Sequence, residues 1–486
     1  MAEYRHGIYV NEKATEMQVL SQQDNGVIFA VGTAPVRSAA QETTLYAPEL
    51  CNNRAEAIAK FGYSTDTAKY TLCEVMDVVF DLYGVSPVVM VNVFNPLRHR
   101  KDHEREQKLV TSEHLVMLAG DVLREGLKIE TKTEDDDDEV WTDITESATI
   151  TGTTDSTTIR LADTYAMGAQ VYVSWHEPDA SKVTAEDVIG GTAELTGVRT
   201  GLDLIDEVHS RFGVTPGLVI APGFSQKPEV ALKMASKATV INGHFSAMAL
   251  ADLDTSRIGG YAAAASWKSE NGYTNAHLTA CYPAVRTGEK VQHLSTHLAG
   301  EMAKLSAEND NIPSESPSNK NALISGMCNL DGSDNYFGLD EANYLNGQGI
   351  VTLNRFADWR FWGNRTSIYP GSSDPKDAFI SNRRMFDFIK SVLVLNFRSE
   401  LDEPILRRKI DSVVDSANTY LNGLTGRGAL LGGRVEFLEE DNPISAMADG
   451  KLQFRVYITP PSPARELEFT LQYDADYLNA VFEGSE

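Results

Sequence analysis

Apolar residues in the first part of the chain fall into short runs closed by glycine or proline, with helical spacing between them. Residues 27–32 (VIFAVG), bounded by Gly32 and Pro35, predict a buried strand. Residues 54–61 predict a helix stopped by Gly62. A second helix is expected over 71–83, where Leu72, Val75, Met76, Val79 and Phe80 recur at helical intervals. After Gly84, residues 87–94 (PVVMVNVF) predict a strand buried on both faces. Strand, helix and strand in this order imply a parallel sheet covered by helices. The pattern resumes near Gly190. Leu202, Leu204, Ile205 and Val208 predict a helix, residues 217–223 a buried strand ended by Pro222 and Gly223, residues 228–238 a helix, and residues 246–252 the next strand.

Between these halves the period changes. Residues 97–190 are rich in threonine, as in 148–154, and alternate apolar with polar at 170–175 (QVYVSW). Short alternating strands with Thr and Gly turns predict a small β-rich module inserted into the larger domain. Beyond Trp359, helices are expected over 385–396 and over 404–421, the latter carrying Ile405, Leu406, Ile410, Val413 and Val414. Two period-two strands are expected at 452–458 and 467–473, separated by Pro460, Pro461 and Pro463. Those prolines remove ladder donors and favour extended geometry, so the linker is stiff and is no hairpin turn. The last strand is therefore expected to leave its own domain. The resulting fold class is a multidomain α/β (α+β) protein: 26–96 and 191–355 form the α/β core, 97–190 the β-rich insertion, and 356–463 a C-terminal α+β domain.

Composition narrows the function. The 486 residues are 42% apolar, enough for several packed domains. Asp and Glu number 69 against 43 Lys and Arg, a formal charge of −26. A nucleic-acid grip needs a basic face to displace counterions, so no nucleic-acid partner is expected. The N-terminal text MAEYRHGIYV has charged and aromatic residues where a signal peptide has an apolar core. No apolar run approaches the ~20 residues that span a bilayer, so the chain is expected to stay soluble, with no direct membrane insertion. Cys51, Cys73, Cys281 and Cys328 lie far apart and are expected to be buried or partly buried free thiols in a reducing compartment.

Candidate chemistry is thin. His293 and His297 have the i, i+4 spacing of a zinc-binding helix, but Leu294 stands where a metalloprotease has Glu, and no third ligand is evident. They are expected on an ordinary helix surface. Ser225 follows Gly223 and Phe224 as in a nucleophile elbow, but Lys227 occupies the second Gly position. Ser225 is expected to cap the following helix. The acidic run 134–139 lacks the Gly and alternation of a calcium loop and is expected to be a solvated loop. No phosphate-binding glycine loop occurs, so no cofactor, no metal and no catalytic residue is expected. A hydrolase on the α/β core is the alternative.

The text WRFWGNRTS from Trp359, followed by SNRRMFDFIKSVL from Ser381, resembles the contractile tail sheath family of tailed bacteriophages and phage-like particles such as R-type pyocins. Segments at 4–10, 196–202, 220–225, 316–319, 349–352, 458–464 and 476–478 resemble the family in the same order, leaving out about 97–190. The resemblance implies a structural subunit of a virion tail, assembled in the host bacterial cytoplasm. It implies stacked hexameric rings around a tail tube, contracting to drive the tube through the host envelope. The implied partners are further copies, the tail tube protein, and baseplate and tail terminator proteins; a bacteriocin or secretion-system sheath is the neighbouring alternative. The core is implied to be subtilisin-like in topology only. The arms, 1–25 and 464–486, are implied to be strands exchanged between subunits. Ile8 and Val10, and Leu467, Phe469, Leu471, Tyr473, Tyr477 and Leu478, are then expected at intersubunit contacts. Arg383, Arg384 and Lys390 are expected to face the tube, and the insertion to lie on the outer surface.

Overall fold

The computed structural model describes residues 26–40, 45–135, 138–152 and 156–481. Eight strands form the central sheet: β1 (Ile28–Gly32), β2 (Pro48–Cys51), β3 (Val88–Asn92), β4 (Leu218–Ile220), β5 (Met248–Asp252), β6 (Leu278–Cys281), β7 (Ile350–Arg355) and β8 (Trp359–Trp362). Their spatial order is β2-β3-β1-β4-β5-β6-β7-β8. Neighbours from β3 to β7 run parallel, and the edge strands β2 and β8 run antiparallel. The chain thus winds one way from β1 and then, from β4, the other way.

The strands read as continuous apolar runs because both faces are covered. Phe29, Val31, Val89, Val91 and Val219 enter one core cluster; Ile28, Ala30, Val88, Met90, Leu218 and Ile220 enter the other. Helix α1 (Arg54–Phe61) begins on Asn53, whose side chain accepts from the Glu56 amide, and ends at Gly62 with φ 74°. Helix α2 (Thr71–Val75) continues as a π-helical stretch, Met76–Leu82, which accounts for the periodicity seen over 71–83. Helices α3 (Pro228–Thr239), α4 (Tyr261–Glu270) and α5 (Leu294–Glu308) also cover the sheet, as do the helices Ile205–Phe212 and Leu339–Gly347 through Ile205, Val208 and Leu345.

The insertion is a β module with its own core of residues such as Val116, Leu118, Ile129, Ile159, Val171 and Val173. Four strands (Arg100–Leu109, Gln170–Pro178, Leu123–Asp135, Asp138–Asp143) form one sheet in that order, and Leu115–Ala119, Ser156–Arg160 and Thr149–Gly152 form another. The expected boundary at 190 falls too late, because Ala180, Val183 and Val188 already pack into the central core. Of the acidic run, expected as a solvated loop, the described residues stand in paired strands: Glu134 pairs with Glu139 and Asp135 with Asp138.

Helices α6 (Ile380–Asn396) and α7 (Arg407–Gly426) pack with β9 (Gly432–Glu436) and β10 (Arg455–Thr459) around Met385, Phe388, Val392, Leu421, Leu424 and Val435. This domain starts later than 356, since β8 belongs to the central sheet. The helix expected over 404–421 begins at Arg407, with Ile405 and Leu406 ahead of it. The strand expected at 452–458 begins at Arg455, because Asn442 takes both the amide and the carbonyl of Gln453. The strand expected at 467–473 pairs with nothing among the described residues.

Polar residues inside the core act as clips. Lys268 on α4 is buried, and its Nζ donates to the carbonyls of Gln348 (2.8 Å), Ser367 (2.6 Å) and Tyr369 (3.0 Å). Three acceptors match the three donors of an ammonium group. His293 and His297 are not on a helix surface, because α5 is enclosed on nearly all sides. His297 Nε2 lies 3.0 Å from Gln292 Oε1, and its Nδ1 lies 3.4 Å from the Tyr83 hydroxyl. Burial drives the His297 pKa down to about 4, and the nearby His293 adds to that against the opposing charge of Glu74. All four cysteines are buried free thiols, and burial pushes Cys51 and Cys73 up to about 12.

Two outcomes follow for stability. Lys268→Met strands three carbonyl oxygens and is expected to cost about 3 kcal/mol, read from the urea midpoint at constant m. For His297 the folded value lies below the unfolded one, so the unfolded chain takes up this proton first. The stabilisation is complete above about pH 6.5 and is lost as the pH falls toward 4. In urea titrations across that window, His297→Gln should lose less stability than the unmodified chain, by up to about 3 kcal/mol.

Candidate functional site

In a sheet wound both ways from one strand, ligands bind in the crevice beyond the carboxyl ends of the strands where the winding reverses, here β1 and β4. In this chain side chains fill that crevice. At the end of β1, the Thr33 amide donates to Thr71 Oγ1 (3.3 Å), and the Thr71 amide donates to Thr33 Oγ1 (3.0 Å). After β4, Gly223 has φ 80°, and a Cβ there would meet Thr71 Cγ2 at 2.7 Å. The Gly223 amide donates to His293 Nε2 (3.1 Å), while His293 Nδ1 lies 2.8 Å from Glu74 Oε2 and the His293 amide donates to Glu74 Oε1 (2.9 Å).

Ser225 does not cap α3, which begins behind Lys227. It is fully buried and bonded to Asp252: Ser225 Oγ donates to Oδ2 (3.1 Å), and the Asp252 amide donates back to Oγ (3.0 Å). Ser295 holds the same carboxylate through its hydroxyl (2.5 Å) and its amide (2.9 Å). Ser225 and His293 are thus bonded to different partners. A nucleophile needs its base within hydrogen-bond reach and a path for substrate, and this knot offers neither. Its four carboxylate oxygens, from Glu74 and Asp252, tie α2, β4, β5 and α5 into one body.

The open surfaces lie at the other end of the chain. Leu467, Phe469, Leu471 and Tyr473 are 76%, 83%, 94% and 81% exposed, and Tyr477 and Leu478 are exposed as well. Ile8 and Val10 lie outside the described residues. Near the root of this arm, β9 and β10 form a two-stranded antiparallel sheet. On the outer edge of β9, Asn418 of α7 accepts from the Val435 amide (2.8 Å) and donates to its carbonyl (3.1 Å). Val435 therefore points its backbone groups out of the pair, and so does its partner Val456 on the opposite edge. Among the described residues, nothing pairs with that edge of β10. Beside it runs an apolar groove of ≈ 680 Å³, lined by Leu393, Phe397, Ile405, Ile410, Phe454 and Val456 among others. The alternation of Phe454, Val456 and Ile458 was visible in sequence; the open edge was not.

Arg383, Arg384 and Lys390 are engaged within the subunit. Arg383 bridges Asp377 and Asp387, both at 2.9 Å. Arg384 is buried and donates to Ser306 Oγ (3.1 Å), and Lys390 donates to Ser246 Oγ (2.9 Å). These contacts tie α6 to α5 and to the loop before β5.

No protein-family model matches the chain. Over 495 aligned residues it is 26% identical to the tail sheath protein of Burkholderia phage BcepMu, covering 98% of both chains. It is also 26% identical over 303 residues to the tail sheath protein of Escherichia phage P2, covering 61% of this chain and 72% of that one. Among solved structures, its fold is similar to the helical sheath of the anti-feeding prophage in the contracted state, with TM-score 0.58 at 14% identity over 96% of this chain and 99% of that one. Along nearly its whole length the chain is similar to phage tail sheath proteins, and it shares the fold of a contractile sheath, which supports the contractile tail sheath family and a structural rather than an enzymatic role.

Proposed function

We propose that this chain polymerises with copies of itself as stacked hexameric rings around the tail tube of a phage, and that the sheath contracts to drive the tube through the host envelope for genome ejection. The observation that carries the reading is the pairing of an exposed, period-two apolar arm with an uncovered strand edge beside an apolar groove. An arm from a second copy lies along β10 and bonds the outward groups of Val456 and Ile458. Leu467, Phe469, Leu471 and Tyr473 then drop into the groove. The chain's own arm cannot do this, because Pro460, Pro461 and Pro463 keep it extended just where it would have to reverse.

Burying one such side chain is worth roughly 1.5–3 kcal/mol before ordering costs, so each arm contributes a few kcal/mol net. The arms act as tethers while the cores shift as rigid bodies into a better-packed lattice. The N-terminal arm, with Ile8 and Val10, joins the same exchange. In this reading the core has a subtilisin-like topology, supported by the strand order with β1 inside the sheet. The insertion lies outward, where extra mass does not obstruct stacking. The domain of α6 and α7 faces the tube, with Arg383, Arg384 and Lys390 at that side bracing α6. Tube, baseplate and tail terminator proteins are the further partners, in a virion tail assembled in the host cytoplasm.

The test is expression of the full chain followed by sedimentation and negative-stain microscopy. The intact chain is expected to give hollow cylinders. A chain ending at Pro463, and the pair Phe469→Asp with Leu471→Asp, are expected to remain folded, within about 2 °C of the parent midpoint since Leu467, Phe469, Leu471 and Tyr473 are exposed, yet to form no cylinders. Cylinders from either variant, or a monodisperse monomer from the intact chain, would sink the proposal.

A further inference from the structure

A second pocket, polar and ≈ 620 Å³, opens where the arm leaves the body. Asn319, Asn343, Asn364 and Arg365 line one part of it, and Arg465 and Glu466 of the arm root line another. The Arg365 guanidinium lies over the rings of Phe379 (3.8 Å) and Tyr369 (4.5 Å). Stacking on two rings fixes a planar cation in advance of any partner. Among the described residues Arg365 has no carboxylate within ion-pair distance. Burial and the charge of Arg465 both lower its pKa, opposed only by the Tyr369 side chain. Among the described residues Arg465 pairs only with its sequence neighbour Glu466, at 2.9 Å, and both side chains are about two-thirds exposed. Such a surface pair is weak and easily exchanged.

Two guanidiniums with so little acid about them are anomalous in a chain of formal charge −26. Asn319, Asn343 and Asn364 bring side-chain amides to the same pocket, and amide donors beside guanidiniums suit one carboxylate. We propose that this pocket receives a carboxylate side chain from a second copy of this chain, which bridges Arg365 and Arg465 and fixes the root of the arm in the direction of that neighbour. The occupant is a second copy because the pocket sits at the base of the segment that leaves the body, and because copies of this chain bring carboxylates in excess. The inference rests on the sheath reading and adds to it a polar lock separate from the apolar groove.

The test is arginine footprinting with phenylglyoxal, read by mass spectrometry on dispersed and polymerised full-length chain, with Arg465→Gln and Arg365→Lys as variants. Arg365 is expected to react in the dispersed chain and to be protected in the polymer. Arg465→Gln, at an exposed position, should leave the unfolding midpoint unchanged and raise the critical concentration about tenfold, the equivalent of one charge-assisted bridge. Arg365→Lys, which keeps the charge but loses the planar fork, should raise it less than Arg365→Met does. Equal Arg365 labelling in both states, or Arg465→Gln polymerising at the parent concentration, overturns the lock and leaves the sheath reading intact. Protection of Arg365 in the dispersed chain by inorganic phosphate, with no further change on polymerisation, assigns the pocket to a free anion and also overturns it. A full chain that never polymerises removes the sheath reading and the lock with it.

Discussion

Backbone N–H and C=O groups at a strand edge must find partners, and how each edge of this molecule meets that demand governs the rest. At β8 the demand is met inside the chain: the Asn319 and Ala322 amides donate to the carbonyls of Phe361 and Trp359, and the Phe361 amide donates to Lys320. At β9 it is met by one side chain, Asn418, which takes both groups of Val435. At β10 it is not met among the described residues. A two-stranded sheet is marginal by itself and persists here because α6 and α7 support one face. Its uncovered edge is a template for one more strand, and the chain carries an unpaired strand-like segment that its own prolines keep from returning.

The central domain shows the opposite disposition. Its winding creates the crevice in which related architectures bind ligands, and Thr71, Glu74 and His293 occupy it. Buried charges are expensive unless paired and hydrogen-bonded, and here each carboxylate oxygen of Glu74 and Asp252 has a donor or an imidazole nitrogen beside it. What this arrangement yields is rigidity between α2, β5 and α5. Under the proposed reading, a body that moves as a unit while its arms stay attached requires that stiffness, so the filled crevice and the open edge serve one design.

Much of the fold was legible in the sequence because its signals are local. The runs at 27–32, 87–94, 217–223 and 246–252 appear as β1, β3, β4 and β5, and Gly62 ends α1 as its position predicts. The errors share one cause. His293, His297 and Ser225 are polar and were assigned to surfaces or caps, because a pattern of polar and apolar residues cannot reveal a partner two hundred positions away, as Glu74 is to His293. The boundary at 190 failed for a similar reason: residues 179–189 look polar enough for a β module, yet Val183 and Val188 pack under the central sheet. The C-terminal segment was legible as a period-two run behind a proline linker, whereas the open edge of β10 follows from Asn418 taking both backbone groups of Val435, which only the folded register reveals.

Charge and contact act over different ranges in such a chain. Copies carrying −26 repel one another beyond contact, over a Debye length of about 8 Å at physiological salt. That repulsion keeps dispersed chains apart even though six large apolar side chains stand in solvent at the C-terminal end. Strand addition works only at hydrogen-bond distance and only in one register, since a slip of one residue would turn Leu467, Phe469, Leu471 and Tyr473 away from the groove. Association is therefore opposed at long range and rewarded only in the correct geometry. Under the proposed reading this combination favours ordered growth over indiscriminate aggregation. It also places the decisive energy in the arm and its acceptor, while the closed core serves as the rigid mass they connect.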